Sequence, residues 1–436
     1  MTATATSEDR GLPVRRRFSS SSAASSRRRL TAIIIICWLL SAVCFTSSGG
    51  APGGELGAFG AAKALTRVVS LLILGGMLIT GNWASNQLTI WRLVPLGVFS
   101  AWTIASTVWS PLLTITLSHG LETLMLAMLA MVAGLVCREE AEISRLLLHL
   151  VIIICLVCLV LAVVNYPVVM AGFRPDQLMQ PNNIGAVAAA GLITMAGARN
   201  LWNWKWARYW FVPVMLLCGG MLLLTRSRSC ILLTAAVLLP LLMRIYRAWL
   251  VVAILLAAGL LAAVWPFSRT VASLPDTVTD YMMRGQTSED MYTVSGRTEL
   301  WTIAVDSFQD APIIGHGYYV MTRTGSMRVW GAERWQTAHN TYLHVITGLG
   351  LFGFALLCWA LIFALGPMFR ALWIQGPSSK LHRLAMPIVL WCLVLGCFEL
   401  SFAGPVDPMV LTFFIMVGLA AGSAQKGVTD AHPSRS

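Results

Sequence analysis

Apolar residues dominate this chain in runs of membrane length, not in alternating strands or narrow helical stripes. A membrane helix needs roughly 17–22 predominantly apolar residues. About twelve stretches fit: 30–46, 64–80, 93–109, 118–136, 146–166, 183–198, 208–224, 229–244, 248–266, 340–366, 384–401 and 406–422. The pattern predicts an all-α, polytopic integral membrane protein, since a β-barrel would show short alternating segments instead. One long polar segment, 267–338, separates the ninth and tenth runs and is too long for an idle connector. Within it, the patterning at Val271–Met283 and Thr298–Asp310 predicts short helices. No convincing inverted repeat of the transporter kind stands out.

Composition agrees. The 436 residues are 57% hydrophobic and 11% charged, with a mean hydropathy of +0.73, which excludes an ordinary soluble domain. The net charge of +12 does not argue for nucleic acid, because seven arginines lie between Arg10 and Arg29, just before the first apolar run. They read as a cytoplasmic anchor. The triple arginine Arg15–Arg17 is followed by SSSSAASS, which lacks the apolar core of a twin-arginine signal. Residues 1–29 are therefore expected to be a disordered basic cytoplasmic tail.

Alternate connections carry Arg92; Arg138 and Arg145; Arg199, Lys205 and Arg208; Arg244 and Arg247; and Arg370, Lys380 and Arg383. This bias sets the topology. Residues 30–266 hold helices 1–9, 267–338 form an outer loop, 339–423 hold helices 10–12, and 424–436 are a second cytoplasmic tail. All ten cysteines lie in or beside apolar runs and none between Phe267 and Ala338, so no disulfide framework is expected. No CxxC…CxxC or HExxH pattern points to a metal, and no cofactor is implied.

Polar residues inside or beside the spans are more informative, because each is expensive there. On the outer side stand His119 and Glu122 at the fourth span, and Gln180, Asn182 and Asn183 before the sixth. Arg226 and Arg228 sit in LLLTRSRSCILL, Glu399 and Asp407 flank the last outer turn, and His339 opens the tenth span. A short outer connection should avoid arginine. The two arginines either snorkel to lipid phosphate or build an anion site. Were the segment helical, they would point to nearly opposite faces. Arg228 is the better inward candidate, because Ser227, Ser229 and Cys230 leave room around it.

His339 either makes an ordinary interfacial hydrogen bond or acts chemically. The tenth helix starts at the outer surface, and its N-terminus suits a phosphate. The same field disfavours an imidazolium, which suits a proton acceptor. His344 points elsewhere and reads as packed. Tyr342, Leu343 and Ile346 would share the His339 face, and Gly348, Gly350 and Gly353 suit close helix packing. Asn182 and Asn183 also read as helix caps. Glu122, Glu399 and Asp407 read equally as structural partners of the arginines or as substrate contacts.

Four motifs then stand together: TRSR (Thr225–Arg228), SGRTELW (Ser295–Trp301), IIGHGYY (Ile313–Tyr319) and AHNTYLHVITGLGLFG (Ala338–Gly353). This combination resembles the signature region of the O-antigen ligase superfamily, over about a third of the chain. The resemblance implies a bacterial inner-membrane glycosyltransferase with a periplasmic active site, while the charge bias of the connections places both termini in the cytoplasm. It implies transfer of a glycan from undecaprenyl pyrophosphate to a sugar hydroxyl of lipid A–core.

On this resemblance Arg228 and Arg297 contact the pyrophosphate and His339 is the essential histidine. Arg226, Asn340, Tyr342, Asn182, Glu122 and Glu399 are substrate-binding candidates. The chemistry is consistent: guanidinium forks neutralise phosphate, and a neutral imidazole deprotonates a hydroxyl. No DxD-like pattern stands at an outer position, so metal independence and a single inverting displacement are expected. A repeat-unit polymerase using the same donor is the nearest alternative. A transporter of lipid-linked oligosaccharide would instead line the whole depth of the bundle with basic residues.

Overall fold

A computed structural model describes residues 20–45, 58–81, 83, 86–171, 175, 178–198, 205–242, 297–320, 338–370 and 379–423. Among them are twelve α-helices and no strand. They are α1 (Ser20–Ala42), α2 (Ala58–Thr80), α3 (Gln87–Ala105), α4 (Leu113–Val136), α5 (Glu140–Met170) and α6 (Pro181–Ala198). Then follow α7 (Lys205–Leu224), α8 (Arg228–Leu242), α9 (Arg297–Asp310), α10 (Thr341–Arg370), α11 (Ser379–Leu395) and α12 (Pro408–Ser423). The expected spans overlap these helices, except 248–266, which lies outside the described residues, as does Val271–Met283. The patterning at Thr298–Asp310 corresponds to α9.

Several boundaries shift from expectation, and two of the shifts bear on the tail and the site. Helix α1 begins at Ser20, so the last residues of the expected tail are helical. Helix α11 stops at Leu395 rather than 401, which leaves Glu399 in a turn.

Five helical segments are long and apolar enough to cross a membrane: Gly60–Thr80, Gln87–Val108, Leu113–Val136, Glu140–Met170 and Thr341–Arg370. Four shorter apolar helices accompany them: Tyr209–Leu224, Arg228–Leu242, Leu381–Leu395 and Pro408–Gly422. Helices α6 and α12 are buried almost all round, whereas α2, α5 and α7 expose Leu65, Leu72, Ile79, Val163, Tyr209 and Leu216. Apolar side chains facing outward on this scale fit lipid rather than water.

Helix α12 crosses α4 with almost no space between backbones. A Cβ on Gly418 would come within 1.9 Å of the Ala130 carbonyl oxygen, and one on Gly422 within 2.3 Å of that of Gly134. Small residues four apart on both helices allow this approach, the usual solution where lipid supplies no hydrophobic drive between helices.

Polar contacts collect at the two ends of the bundle. At the end where α1, α3 and α5 begin, Ser26 donates to Glu142 at 2.5 Å and Arg92 donates to the Ala421 carbonyl at 3.0 Å. The Arg29 guanidinium lies 4.7 Å over the Trp83 ring. Glu139 and Glu142 form a capping box that starts α5. The other end holds the starts of α4, α6, α8, α10 and α12, and with them nearly every candidate residue.

Helix α10 is broken within its first third. Gly350 adopts φ +67°, ψ −172°, a conformation that L side chains avoid. The strap 311–320, which follows α9, fills the break. Leu351 and Phe352 donate backbone N–H groups to Pro312 and Ile313 at 2.8 and 3.1 Å, and Gly317 donates to the Gly348 carbonyl at 2.8 Å. The backbones touch: a Cβ on Gly350 would lie 2.2 Å from the Ile313 oxygen, and one on Gly315 2.4 Å from the Gly348 carbonyl. The glycines of IIGHGYY and GLGLFG thus fit each other. Close helix–helix packing was expected for Gly348 and Gly350, and strap-to-helix packing is what they serve.

Candidate functional site

The centre of the site is Glu399, 4% exposed, in the turn between α11 and α12. Its Oε1 accepts from the Arg297 guanidinium and from Asn182 Nδ2, the latter at 2.6 Å. Its Oε2 pairs with His339 Nδ1 at 2.8 Å. One carboxylate therefore joins the starts of α6, α9 and α10. Burial works against its charge, and Arg297 and His339 outweigh that cost, holding its pKa below the ordinary carboxylate value.

This pairing fixes the imidazole. An ionised carboxylate only accepts hydrogen bonds, so Nδ1–H donates to it and the neutral ring carries its lone pair on Nε2. His339 itself sits at φ +45° and precedes α10 rather than belonging to it. Such a backbone costs about 1–3 kcal/mol for a non-glycine residue, and the surroundings hold it. Asn340 caps the helix: its Oδ1 accepts the N–H groups of Tyr342 and Leu343 at 2.9 and 3.0 Å, and its Nδ2 donates to the Cys397 carbonyl at 3.1 Å. Thr341 donates its hydroxyl to the Glu399 carbonyl at 2.9 Å and its N–H to that of Gly396 at 2.6 Å. The start of α10 and the Glu399 turn are thereby one rigid unit.

Helix α9 brings Arg297 to this unit. Leu300 and Ala304 are buried with Ala338, and Trp301 donates its indole N–H to the Ala338 carbonyl at 2.8 Å. Arg228, the first residue of α8, lies within electrostatic reach of Arg297. The segment Thr225–Ser227 is a tight turn rather than continuous helix, and Arg226 within it adopts φ +50°. The expectation of opposed arginine faces on one helix is corrected accordingly. The turn is anchored on α6, where the Cys230 thiol donates to the Asn182 carbonyl at 3.6 Å.

Arg228, Arg297, His339, Asn182, Asn340 and Glu399 therefore come together. Glu122 does not join them. It is buried on α4, where Oε1 pairs with Arg67 of α2 and Oε2 with His119 Nδ1 at 3.1 Å. Tyr342 donates its hydroxyl to the Leu393 carbonyl at 2.7 Å and packs edge-on to Phe402, which places it in the supporting core. Because His339 is not helical, the shared face assumed for Tyr342, Leu343 and Ile346 does not exist. Asp407 caps α12 by accepting the Val410 N–H at 2.9 Å. His344 is buried against Tyr318 and Tyr319.

Sequence reading missed Lys63 and Arg67. Both lie at the beginning of the second span, on the same side as Arg226 and Arg228. The rule that singled out those two arginines applies equally here.

An apolar helical bundle with a polar, arginine-bearing end defines an integral membrane protein with a buried ionic site. Residues 213–358 match the model of the O-antigen ligase family. That match supports the O-antigen ligase superfamily and, in general terms, membrane glycosyl transfer of ligase or polymerase type. The match spans Arg228, Arg297, the strap and His339, whereas Glu399, Asn182 and Glu122 lie outside it. No curated protein matches the chain.

Proposed function

We propose that the protein is an O-antigen ligase of the bacterial inner membrane. In this reading about twelve helices span the bilayer, both termini are cytoplasmic, and the site faces the periplasm beneath the 267–338 loop. The donor is a glycan on undecaprenyl pyrophosphate and the acceptor is a sugar hydroxyl of lipid A–core. The observation that carries the proposal is the Arg297–Glu399–His339 arrangement, with Arg228 beside it.

The chemistry follows from the parts. Arg228 and Arg297 neutralise the pyrophosphate. Glu399 aims His339, whose Nε2 takes the proton from the acceptor hydroxyl. The acceptor oxygen forms a bond to the anomeric carbon as the bond from that carbon to the phosphate oxygen breaks. Undecaprenyl pyrophosphate leaves with the electron pair, and the configuration inverts. No step calls for a metal. Arg228 and Arg297 lie together at one end of the bundle, which favours transfer over translocation.

The test is transfer in vitro from lipid-linked glycan to lipid A–core, with wild type and His339→Ala. A laddered core product from wild type alone supports the proposal. Longer glycans on the lipid carrier without a core product would instead assign the polymerase reaction to the same residues.

A further inference from the structure

The Glu399 carboxylate has more partners than one ion pair needs. The Glu399 backbone is fixed: its carbonyl accepts from Thr341 Oγ1, and its N–H donates to the Leu395 carbonyl, both at 2.9 Å. Rotatable side-chain bonds still separate that backbone from the carboxylate, so the contacts of the two oxygens decide where the group points. Oε2 meets His339 Nδ1. Oε1 takes two donors, the charged Arg297 and the neutral Asn182 Nδ2. An ionised carboxylate only accepts, so the amide turns its NH₂ toward it. Helix capping would use the amide oxygen and gives no reason for this contact, which joins residues 217 positions apart.

The amide is held from behind. Asn182 is the second residue of α6, whose first turn is closed by the Gln180 carbonyl accepting from Asn183 and Ile184 at 2.9 and 3.0 Å. The Cys230 thiol donates to the Asn182 carbonyl, and α6 lies close against the turn before α8. A Cβ on Gly185 would come within 3.0 Å of Thr225 Oγ1 and 3.3 Å of Ser227 Cβ. Asn182 and Arg228 are therefore carried on one frame.

The two donors on Oε1 differ in what a substrate anion does to them. The Arg297 side chain is the more exposed partner, 14% against 5% for Glu399, and Arg228 lies within its electrostatic reach. A multiply charged pyrophosphate at these guanidiniums attracts them more strongly than a single carboxylate does. A neutral amide feels no such pull. The Arg297 charge beside Glu399 also opposes a proton on His339, whereas the amide leaves the carboxylate charge undiminished.

We propose that Asn182 is a positioning residue for His339: it keeps the Glu399 carboxylate aimed at Nδ1 when the donor pyrophosphate draws Arg297 away. The hand-over rests on the donor role given to Arg297 above. In the empty site Arg297 and Asn182 hold Glu399 together. Once Arg297 turns to the pyrophosphate, the carboxylate charge serves the imidazole alone and its direction is unchanged. His339 is then the stronger base when the donor is in place.

The test uses full-length protein in nanodiscs with isotope-labelled histidine. The His339 signal is assigned by its absence from His339→Ala, and its tautomer is read from the ring nitrogen shifts at alkaline pH, where the ring is neutral. Without ligand, Asn182→Ala and Arg297→Ala should each keep the wild-type Nδ1–H tautomer, because one donor remains on Oε1. The double variant should lose it. Loss of that tautomer in folded Arg297→Ala would overturn the proposal, even if Asn182→Ala fails to fold. Added undecaprenyl pyrophosphate should scramble the tautomer in Asn182→Ala and leave wild type unchanged. Retention of the tautomer by Asn182→Ala with the lipid bound would overturn the proposal and leave the ligase reading standing. Wild type that does not bind undecaprenyl pyrophosphate would sink that reading and the hand-over with it. In transfer, Asn182→Ala should lower kcat by about 10–100-fold, the scale of losing an orienting partner, with the donor KM within a few-fold. A raised donor KM with kcat unchanged would make Asn182 a substrate contact instead and overturn the positioning role.

Discussion

The molecule holds two nearly identical constellations. In each, a glutamate 4% exposed gives Oε1 to an arginine and Oε2 to a histidine Nδ1. The Arg67–Glu122–His119 cluster is largely local: His119 and Glu122 are i,i+3 neighbours on α4, and α2 supplies the arginine. The Arg297–Glu399–His339 cluster is assembled from three distant segments, with its histidine in a left-handed turn. The His119 ring face is covered by Tyr319. His339 stands at a helix start, near a second guanidinium. The same three side chains thus form a half-buried charge cluster in one place and a candidate base with phosphate clamps in the other. Surroundings, not residue types, separate the two roles.

Substitutions can break that comparison. The largest expected effect is His339→Ala, which should lower kcat in the transfer assay by about 10²–10⁴-fold, the usual contribution of a general base. His119→Ala should leave kcat within a few-fold. Equal losses would mean that the two imidazoles are not distinguished as described.

Gly350→Ala should come next. It forces a Cβ into the Ile313 carbonyl at a positive φ. Thermal unfolding in detergent should fall by several degrees, with transfer reduced because α9 and the start of α10 lose their common support. The matching change at Gly219, where a Cβ meets nothing within 4 Å, should be tolerated.

Arg297→Lys and Arg228→Lys should each cost about 10–100-fold in kcat/KM, since an ammonium lacks the planar fork that grips phosphate. Arg67→Lys, at the cluster where a point charge suffices, should cost less than about threefold.

A smaller effect is expected from pH. The Glu399 pKa is depressed in the folded protein. Its stabilising contribution is therefore complete above the unfolded carboxylate value, about 4, and is lost as pH falls through the lower folded value. Melting temperature followed from pH 6 to pH 3 should drop more steeply for wild type than for Glu399→Gln. Smallest of all is chelation: EDTA should leave transfer unchanged, and restoration by a divalent ion after EDTA loss would refute metal independence.

Much of this was legible in sequence because the bilayer imposes simple rules. Apolar run length marked the helices, and the cost of stray charge marked Arg226, Arg228 and His339. Lys63 and Arg67 obey the same rule and were overlooked beside a hydrophobic run. The link from Glu399 to His339 was hidden, because 60 residues separate them and no local pattern relates a turn to a helix start.

The sequence by itself determined the helical class, the end of the bundle where polar residues gather, and the motif set. These follow from hydropathy, charge cost and residue type, all properties of single positions or short windows. Tertiary structure alone decided that Glu399 orients His339, that Glu122 serves a different cluster, and that the strap glycines answer the break at Gly350. Those facts depend on which buried donors and acceptors meet, and on how closely two backbones approach once the chain is packed.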